Sequence, residues 1–422
     1  MPSNADARAG RAAFTHPGFV LFQVARFLIV AAVEMQAVAV GWQVYEITKR
    51  PLDLGYVGLA QFLPAILLFP ISGHASDRFE RRHVLSLCYG GYAVCFALLL
   101  ALTKRAPSIL LIYVVLVLIG VVRSFNSTAS RAILPQLVPQ EHFPNAVAWN
   151  ASIFQAATIL GPSFGGIVYA AFRGPSAVYA IAMVTAIGAT ISSFRIRPEV
   201  KPRPREPMTF KTVFAGLHYI WNKKLILGAI SLDLFAVLLG GAVALLPVYA
   251  REILHTGPWG LGLLRTAPGV GAALMAVLLA HWPLRGRSGP TLLWAVAGFG
   301  VFTIIFGVSR NLTVSLIALL LLGASDMISV IIRATLTQLA TPDEMRGRVT
   351  AVDMIFIGTS NEFGQFESGV TAQWFGTVPA VILGGVGTLV VIVLWTWWFP
   401  ELRNAGDLQG IGSETQNSTA AT

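Results

Sequence analysis

Residues 368–400 run without a single charged side chain, and residues 174–194 do the same. An α-helix crosses a hydrocarbon core about 30 Å thick in roughly 20 apolar residues. Runs of that length recur near residues 19–43, 54–74, 83–103, 107–128, 146–170 and 176–195, and again near 225–249, 258–281, 289–309, 312–336, 348–372 and 377–398. Only 12% of the 422 residues are charged, about half the roughly 25% of soluble domains, so a soluble multidomain protein is excluded. The apolarity is continuous rather than alternating, which argues against a transmembrane β-barrel. The expected fold class is an all-α polytopic membrane protein with twelve transmembrane helices.

The first apolar run, from Phe19, is long enough to span and is read as a retained first helix rather than a cleaved leader. Cys88 and Cys95 stand seven apart in one apolar segment, too far to bridge, so no disulfide framework or zinc ligand set is expected. Twenty of the thirty Lys and Arg fall on the side that would hold both termini and seven on the other, while Arg26, Arg123 and Arg265 lie within spans. The positive-inside bias therefore predicts both termini in the cytoplasm, in agreement with an even number of spans. The net charge of +10 is assigned to the cytoplasmic loops facing an anionic leaflet, and a nucleic-acid partner drops out.

A proline-rich basic stretch, Arg197 to Arg205, divides the chain, because proline cannot continue a helix. The expected organisation is a six-helix bundle over residues 1–195, a cytoplasmic linker over 196–224, a second bundle over 225–400 and a tail of disordered composition over 401–422. Within the linker Phe210, Val213, Phe214, Leu217 and Trp221 recur at helical spacing beside Lys211, Lys223 and Lys224, the pattern of an amphipathic helix on the inner leaflet. The other reading is a cytoplasmic start to the seventh span. Offsetting the second half by 202 residues lays Arg131-Ala132-Ile133-Leu134-Pro135-Gln136-Leu137 over Arg333-Ala334-Thr335-Leu336-Thr337-Gln338-Leu339, with five identities in seven positions. Parallel repeats of this kind mark one large class of transporters.

Between the second and third spans, Gly73-His74-Ala75-Ser76-Asp77-Arg78-Phe79-Glu80-Arg81-Arg82 resembles the signature of the major facilitator superfamily: a glycine, an Asp-Arg pair four residues on, then two arginines. The resemblance implies two pseudo-symmetric six-helix bundles and a cytoplasmic latch made by Gly73, Asp77, Arg78, Arg81 and Arg82, with Arg131 at the inner end of the fourth span as a gate or anchor. It also implies that Asp77 faces the start of the eleventh span, where Thr341-Pro342-Asp343-Glu344 reads as a helix opening capped by threonine. The second half departs from the signature, with His281 at the place of Asp77 and only Arg285 and Arg287 in the loop. In the fifth span Gly161-Pro162-Ser163-Phe164-Gly165-Gly166 resembles the element carried by the superfamily's antiporters, although Ala157 and Ala148 replace its earlier glycines. Small residues there permit close packing, and proline frees a carbonyl. The resemblance covers nearly the whole chain and points to the branch of enterobactin exporters and macrolide efflux pumps.

Ionisable groups inside a span cost at least ~2.5 kcal/mol near the helix centre, so each is a functional candidate. Glu34 and Arg26 in the first span, Arg123 in the fourth, Asp233 in the seventh, and Asp326 and Arg333 in the tenth are the candidates for proton coupling or the cavity wall. In this superfamily, the resemblance implies, those spans line a central cavity. Glu34 leads as the coupling carboxylate, with a fixed ion pair, for instance to Arg123, as its other reading. Asp326, Ser329, Arg333 and Thr337 form a polar stripe on one helix face, repeated by Ser124, Ser127 and Arg131. The eleventh span is unusually polar, with Asp353, Ser360 and Glu367 on one face and Glu362 on the other, and Glu367 with Arg265 is a candidate outer gate. Trp42, Tyr45, Trp149 and Phe235 could meet an amphipathic substrate.

No phosphate-binding loop, metal-binding helix motif or nucleophile elbow occurs, and neither catalysis nor a cofactor is expected. The expected function is a proton-coupled exporter of small amphipathic organic compounds such as drugs or siderophores, working by alternating access. It would be a monomer in a bacterial-type inner membrane, its partners being substrate, protons and the lipid bilayer. An importer of a polar nutrient or lysolipid is the main rival. A receptor or a polytopic enzyme fits less well, since the longest loop is about thirty residues and no histidine cluster lies inside a span.

Overall fold

Proline in the first turn opens many of the helices, where its missing N–H costs nothing and its fixed φ favours the helix. The computed structural model describes residues 11–104, 108–200, 210–282 and 286–406. The side chains of residues 69, 70, 76, 77, 210–213 and 343 lie outside that description. Among the described residues there are helices and no strands.

In chain order they are α1 (Pro17–Thr48), α2 (Pro51–Leu67), α3 (Phe69–Arg78), α4 (Arg81–Thr103), α5 (Ile109–Ile133), α6 (Phe143–Ala171) and α7 (Pro175–Phe194). There follow α8 (Phe210–Asn222), α9 (Lys224–Leu239), α10 (Gly257–His281), α11 (Ser288–Val308), α12 (Leu312–Leu339), α13 (Asp343–Phe375), α14 (Thr377–Trp398) and a short α15 (Pro400–Arg403). Ten helical stretches are long and apolar enough to cross a membrane. The remaining two crossings are α2 with α3, interrupted at Leu68, and α13, which is long but carries Asp353, Glu362 and Glu367. This is a twelve-helix transmembrane fold. Exposed Leu87, Leu110, Trp294, Trp374 and Trp397 lie on its outer faces, as suits helices surrounded by lipid.

Two expected spans are not continuous α-helix. The second breaks at Leu68, between Pro64 inside α2 and a proline in the first turn of α3. In the seventh, α9 stops at Leu239, and the pair Gly240–Gly241 leads into a 3-10 turn, Ala242–Leu245, a short α-turn and a π-helical turn, Tyr249–Ile253. The Ser368 hydroxyl donates to the Gly241 carbonyl at 2.9 Å, so a side chain satisfies part of the opened backbone. Gly376, with φ of +90°, joins α13 to α14 in a conformation that L side chains rarely adopt.

By packing, the chain divides into two compact units. The first holds Met1–Ile47, Ala60–Met208 and Gly257–Gly262; the second holds Thr48–Leu59, Thr209–Thr256 and Leu263–Thr422. In the first, α4 packs along α7, and Ser86 and Ser193 share a buried hydrogen bond of 2.8 Å between them. The start of the linker is held on this unit: the Glu199 and Val200 amides both donate to the Gln136 carbonyl, and His16 Nδ1 lies 2.7 Å from Glu199 Oε2. In the second, α11 packs on α12 and α14, and α9 on α13 and α14. The buried core there runs through Leu232, Leu292, Ile332, Leu336 and Trp395.

The amphipathic segment is a separate helix, because Lys223 is extended between α8 and α9. Ile220 is fully buried with Ile226, Ile230, Val349 and Val352, and the Tyr219 hydroxyl donates to the Ala340 carbonyl at 3.2 Å. Burial raises the Tyr219 hydroxyl pKa above its ordinary value. Phe214 and Trp221 stay exposed on the other side of α8. Residues 201–209 of the expected linker and 407–422 of the expected tail lie outside the described residues.

Candidate functional site

The apolar faces of α9, α12 and α13 place three carboxylates around one guanidinium inside the second unit. Asp233 sits among buried Ala229, Ile230, Leu232 and Ala236 on α9. On α12, Ser329, Arg333 and Thr337 are buried with Ile332 and Leu336, so the stripe seen in the sequence faces inward. Arg333 is only 4% exposed; its Nη2 lies 3.2 Å from Asp233 Oδ2 and its Nη1 lies 2.7 Å from Asp353 Oδ1. The guanidinium fork thus divides between carboxylates on two helices, a geometry that lysine cannot reproduce. Taking charges out of water costs several kcal/mol per ion, and only such close pairing offsets it.

Asp326 stands apart from this pairing. Among the described residues it has no hydrogen bond and no ion pair, although Asp233 and Arg333 are its electrostatic neighbours. Beside it, Ser329 is 3% exposed and its hydroxyl has no hydrogen-bond partner among the described residues. A cavity of about 10 Å³, room for roughly one water, is lined by Asp233, Ala236, Val237, Val296, Phe299, Asp326 and Ser329. Three carboxylates against one guanidinium leave a surplus of negative charge in a poorly solvated place. Protons or a bound cation must answer that surplus.

The sequence expectations meet this geometry unevenly. The stripe of Asp326, Ser329 and Arg333 is one wall of the site, and Asp233 is part of it. Asp353, seen in the sequence only as part of a polar helix, is a full partner of Arg333. The repeat partner Arg131 is exposed on α5, where Ser124 bonds Ser72 at 3.2 Å, so duplicated arginines occupy different surroundings. Arg123 is exposed on α5.

In the first unit Glu34 is half-buried on α1, against α6. A Cβ built on Gly161 would lie 2.6 Å from Glu34 Cβ, and one on Gly165 would lie 2.8 Å from Met35 Cα. One turn round the same helix, Gly166 meets the Pro258 carbonyl and Gly262, and the Pro162 carbonyl also meets Gly262. The glycine-proline element is therefore a close-packing surface on two sides. Arg26 stacks over Phe154 at 5.3 Å. Gln23 and Gln36 are buried on α1 with no hydrogen-bond partner for either amide among the described residues; the sequence signal for them is an uncharged amide in an apolar helix.

In the signature loop, Phe79 and Glu80 are extended between α3 and α4. Arg82 pairs with Glu80 at 2.8 Å and donates to the Ile196 carbonyl at 3.4 Å, while Arg78 is exposed and Arg81 half-buried. Gly73 has open space around it. The Asp77 side chain lies outside the described residues, and so does the expected latch through it. The expected threonine cap on α13 does not form: the Thr341 hydroxyl is buried without a hydrogen bond, and Pro342 stands at the N-cap. Glu367 accepts from the Thr371 hydroxyl at 2.6 Å. Trp42 packs edge-on against Tyr169, Trp149 against Phe14 and Phe235 against Trp395, and Tyr45 is buried. Trp42 and Tyr45 are buried, Trp149 is half-buried and Phe235 is exposed.

Two halves of a repeat in a twelve-helix membrane fold are the architecture of a large class of membrane transporters. The chain belongs to the Major Facilitator Superfamily, whose family model matches residues 21–365. It is similar to the enterobactin exporter EntS of Citrobacter koseri, at 26% identity over 396 residues, covering 92% of this chain and 93% of that protein. The corresponding exporter of Salmonella choleraesuis is 27% identical over 398 residues, covering 92% and 94%. Among solved structures, a D-xylose–proton symporter superposes with a TM-score of 0.70 at 14% identity, covering 92% of this chain and 98% of that one. A bacterial homologue of the human lysosomal transporter Spinster gives 0.69 at 14%, again covering 92% and 98%. These likenesses carry the fold.

Proposed function

We propose that this protein is a proton-coupled exporter of small amphipathic organic compounds, of the class to which enterobactin belongs, working by alternating access in a bacterial inner membrane. The carrying observation is the charge imbalance in the second unit: Arg333 is shared by Asp233 and Asp353, and Asp326 has no ion pair among the described residues. A surplus buried carboxylate takes up a proton more readily than a paired one, and its protonation changes the charge of the site by one unit. Proton entry and substrate exit can be linked through that change. Glu34, against the glycine-rich face of α6, is a second coupling group on the first unit. The similarity to the EntS exporters supports outward transport. Both termini lie in the cytoplasm, the bundles correspond to residues 1–195 and 225–400, and the working unit is a monomer.

The test is flux in proteoliposomes under an imposed pH gradient, with enterobactin and a panel of amphipathic drugs. Wild type should move at least one compound against its gradient, and Asp326→Asn should lose that dependence while retaining the fold. If no compound moves under any gradient, the reading is overturned.

A further inference from the structure

The coupling cluster also has the makings of a metal-ion site. We propose that the cavity between α9, α11 and α12 binds Na⁺ through Asp233, Asp326 and Ser329. The inference rests on the coupling reading above and extends it to a second driving ion.

Three independent observations converge on this cavity. Its volume, about 10 Å³, suits one water or one dehydrated monovalent cation. Two carboxylates line it, and Asp326 has no ion pair among the described residues. The Ser329 hydroxyl, 3% exposed, lines it with no hydrogen-bond partner, leaving its lone pairs for a cation. Backbone adds a third source of negative potential. Ala236 and Val237, in the last turn of α9, line the same cavity, and α9 ends at Leu239 where Gly240 and Gly241 break the span. The Ala236 carbonyl already accepts from the Gly240 amide at 2.9 Å and the Thr388 hydroxyl at 3.0 Å, so this helix end contributes the negative end of its dipole rather than a free carbonyl. Interrupted helices of this kind offer carbonyl ends to coupling ions in other transporters.

Asp233 from α9 and Asp326 from α12 are the charged groups that line the cavity; Arg333 on α12 is joined to Asp233, and Asp353 on α13 to Arg333, beside it. α11 contributes only Val296 and Phe299. Arg333 is engaged by its two partners, which leaves the Asp326 side of the cavity as the place for a cation. One Na⁺ brings the cluster from a net charge of −2 to −1, as one proton does. A monovalent cation there offsets part of the buried negative charge.

Thermal unfolding of the purified full-length protein in detergent tests this with NaCl against KCl at equal ionic strength. At about pH 8.5, wild type in about 0.1 M NaCl should melt ~3 °C above its value in KCl. Asp326→Asn should abolish the gap, and Ser329→Ala, which removes one hydroxyl and no charge, should reduce it. Equal melting temperatures for wild type in the two salts at high pH would overturn the sodium site. Proton-driven flux in sodium-free vesicles separates the two readings. If it persists while sodium has no effect on melting, the proton reading stands and the sodium site falls; if it is absent while sodium stabilises, the reverse holds.

Discussion

Arg333 holds Asp233 and Asp353 together from a position that is 4% exposed, and its loss would leave two carboxylates buried without a cation. Removing one partner of a buried ion pair costs about 3–5 kcal/mol. Arg333→Met should therefore lower the melting temperature of the purified protein sharply, and combining it with Asp233→Asn and Asp353→Asn should restore most of the loss. A triple variant no more stable than the single one would mean that Arg333 acts through packing rather than charge. The candidate residues were legible in the sequence because a charge in an apolar run is conspicuous. Their pairing was not. Asp353 lies twenty residues beyond Arg333 on the next helix, and the choice among Asp233, Asp326 and Asp353 depends on how α9, α12 and α13 rotate about their own axes. Glu34 stands out in the sequence by its place mid-helix, and Asp326, which has no ion pair among the described residues, is distinguished only once its neighbours are known.

Among the elements, α8 best illustrates how a spacing pattern translates into packing. Its apolar repeat predicts a helix with one greasy face, and the structure divides that apolar surface. Ile220 and Leu217 turn toward the start of α13, while Phe214 and Trp221 remain exposed. Ile220→Asn should undock the helix at a cost of about 2–4 kcal/mol. Hydrogen exchange across residues 210–222 should then accelerate, while Trp221→Ser should leave it unchanged. Equal exchange in both variants would show that the α13 contact does not hold the helix. The breaks in α2–α3 and after α9 were harder to read. Apolarity continues through Leu68 and through Gly240–Gly241, and hydropathy measures the partition of side chains into lipid, not the continuity of backbone hydrogen bonds.

For the whole molecule, the twelve crossings, the repeat and the family were legible, because a bilayer imposes length and apolarity on every crossing. The division into compact units was less so: residues 48–59 pack with the second unit and 257–262 with the first, across the boundary drawn by composition. Orientation follows from the distribution of Lys and Arg and is testable with the protein's own chemistry. Cys88 and Cys95 are both buried, so a single exposed cysteine gives a clean signal. In intact cells Arg310→Cys should react with a membrane-impermeant maleimide, and Asn404→Cys should react only after permeabilisation. The opposite pattern would invert the topology and place the Asp77 loop outside.

The glycine and proline face of α6 carries a mechanical consequence. Helices usually interlock through side-chain ridges and grooves, so sliding one past another means forcing rotamers out of register. Along Gly161, Gly165 and Gly166 there are no such teeth, since the helix rests on the backbone of α1 and of residues 257–262. A surface of that kind is a plain bearing at the middle of the α1–α6 contact, and the side chains that a small shear would have to shift lie toward its ends, where Arg26 stacks over Phe154 and Trp42 meets Tyr169.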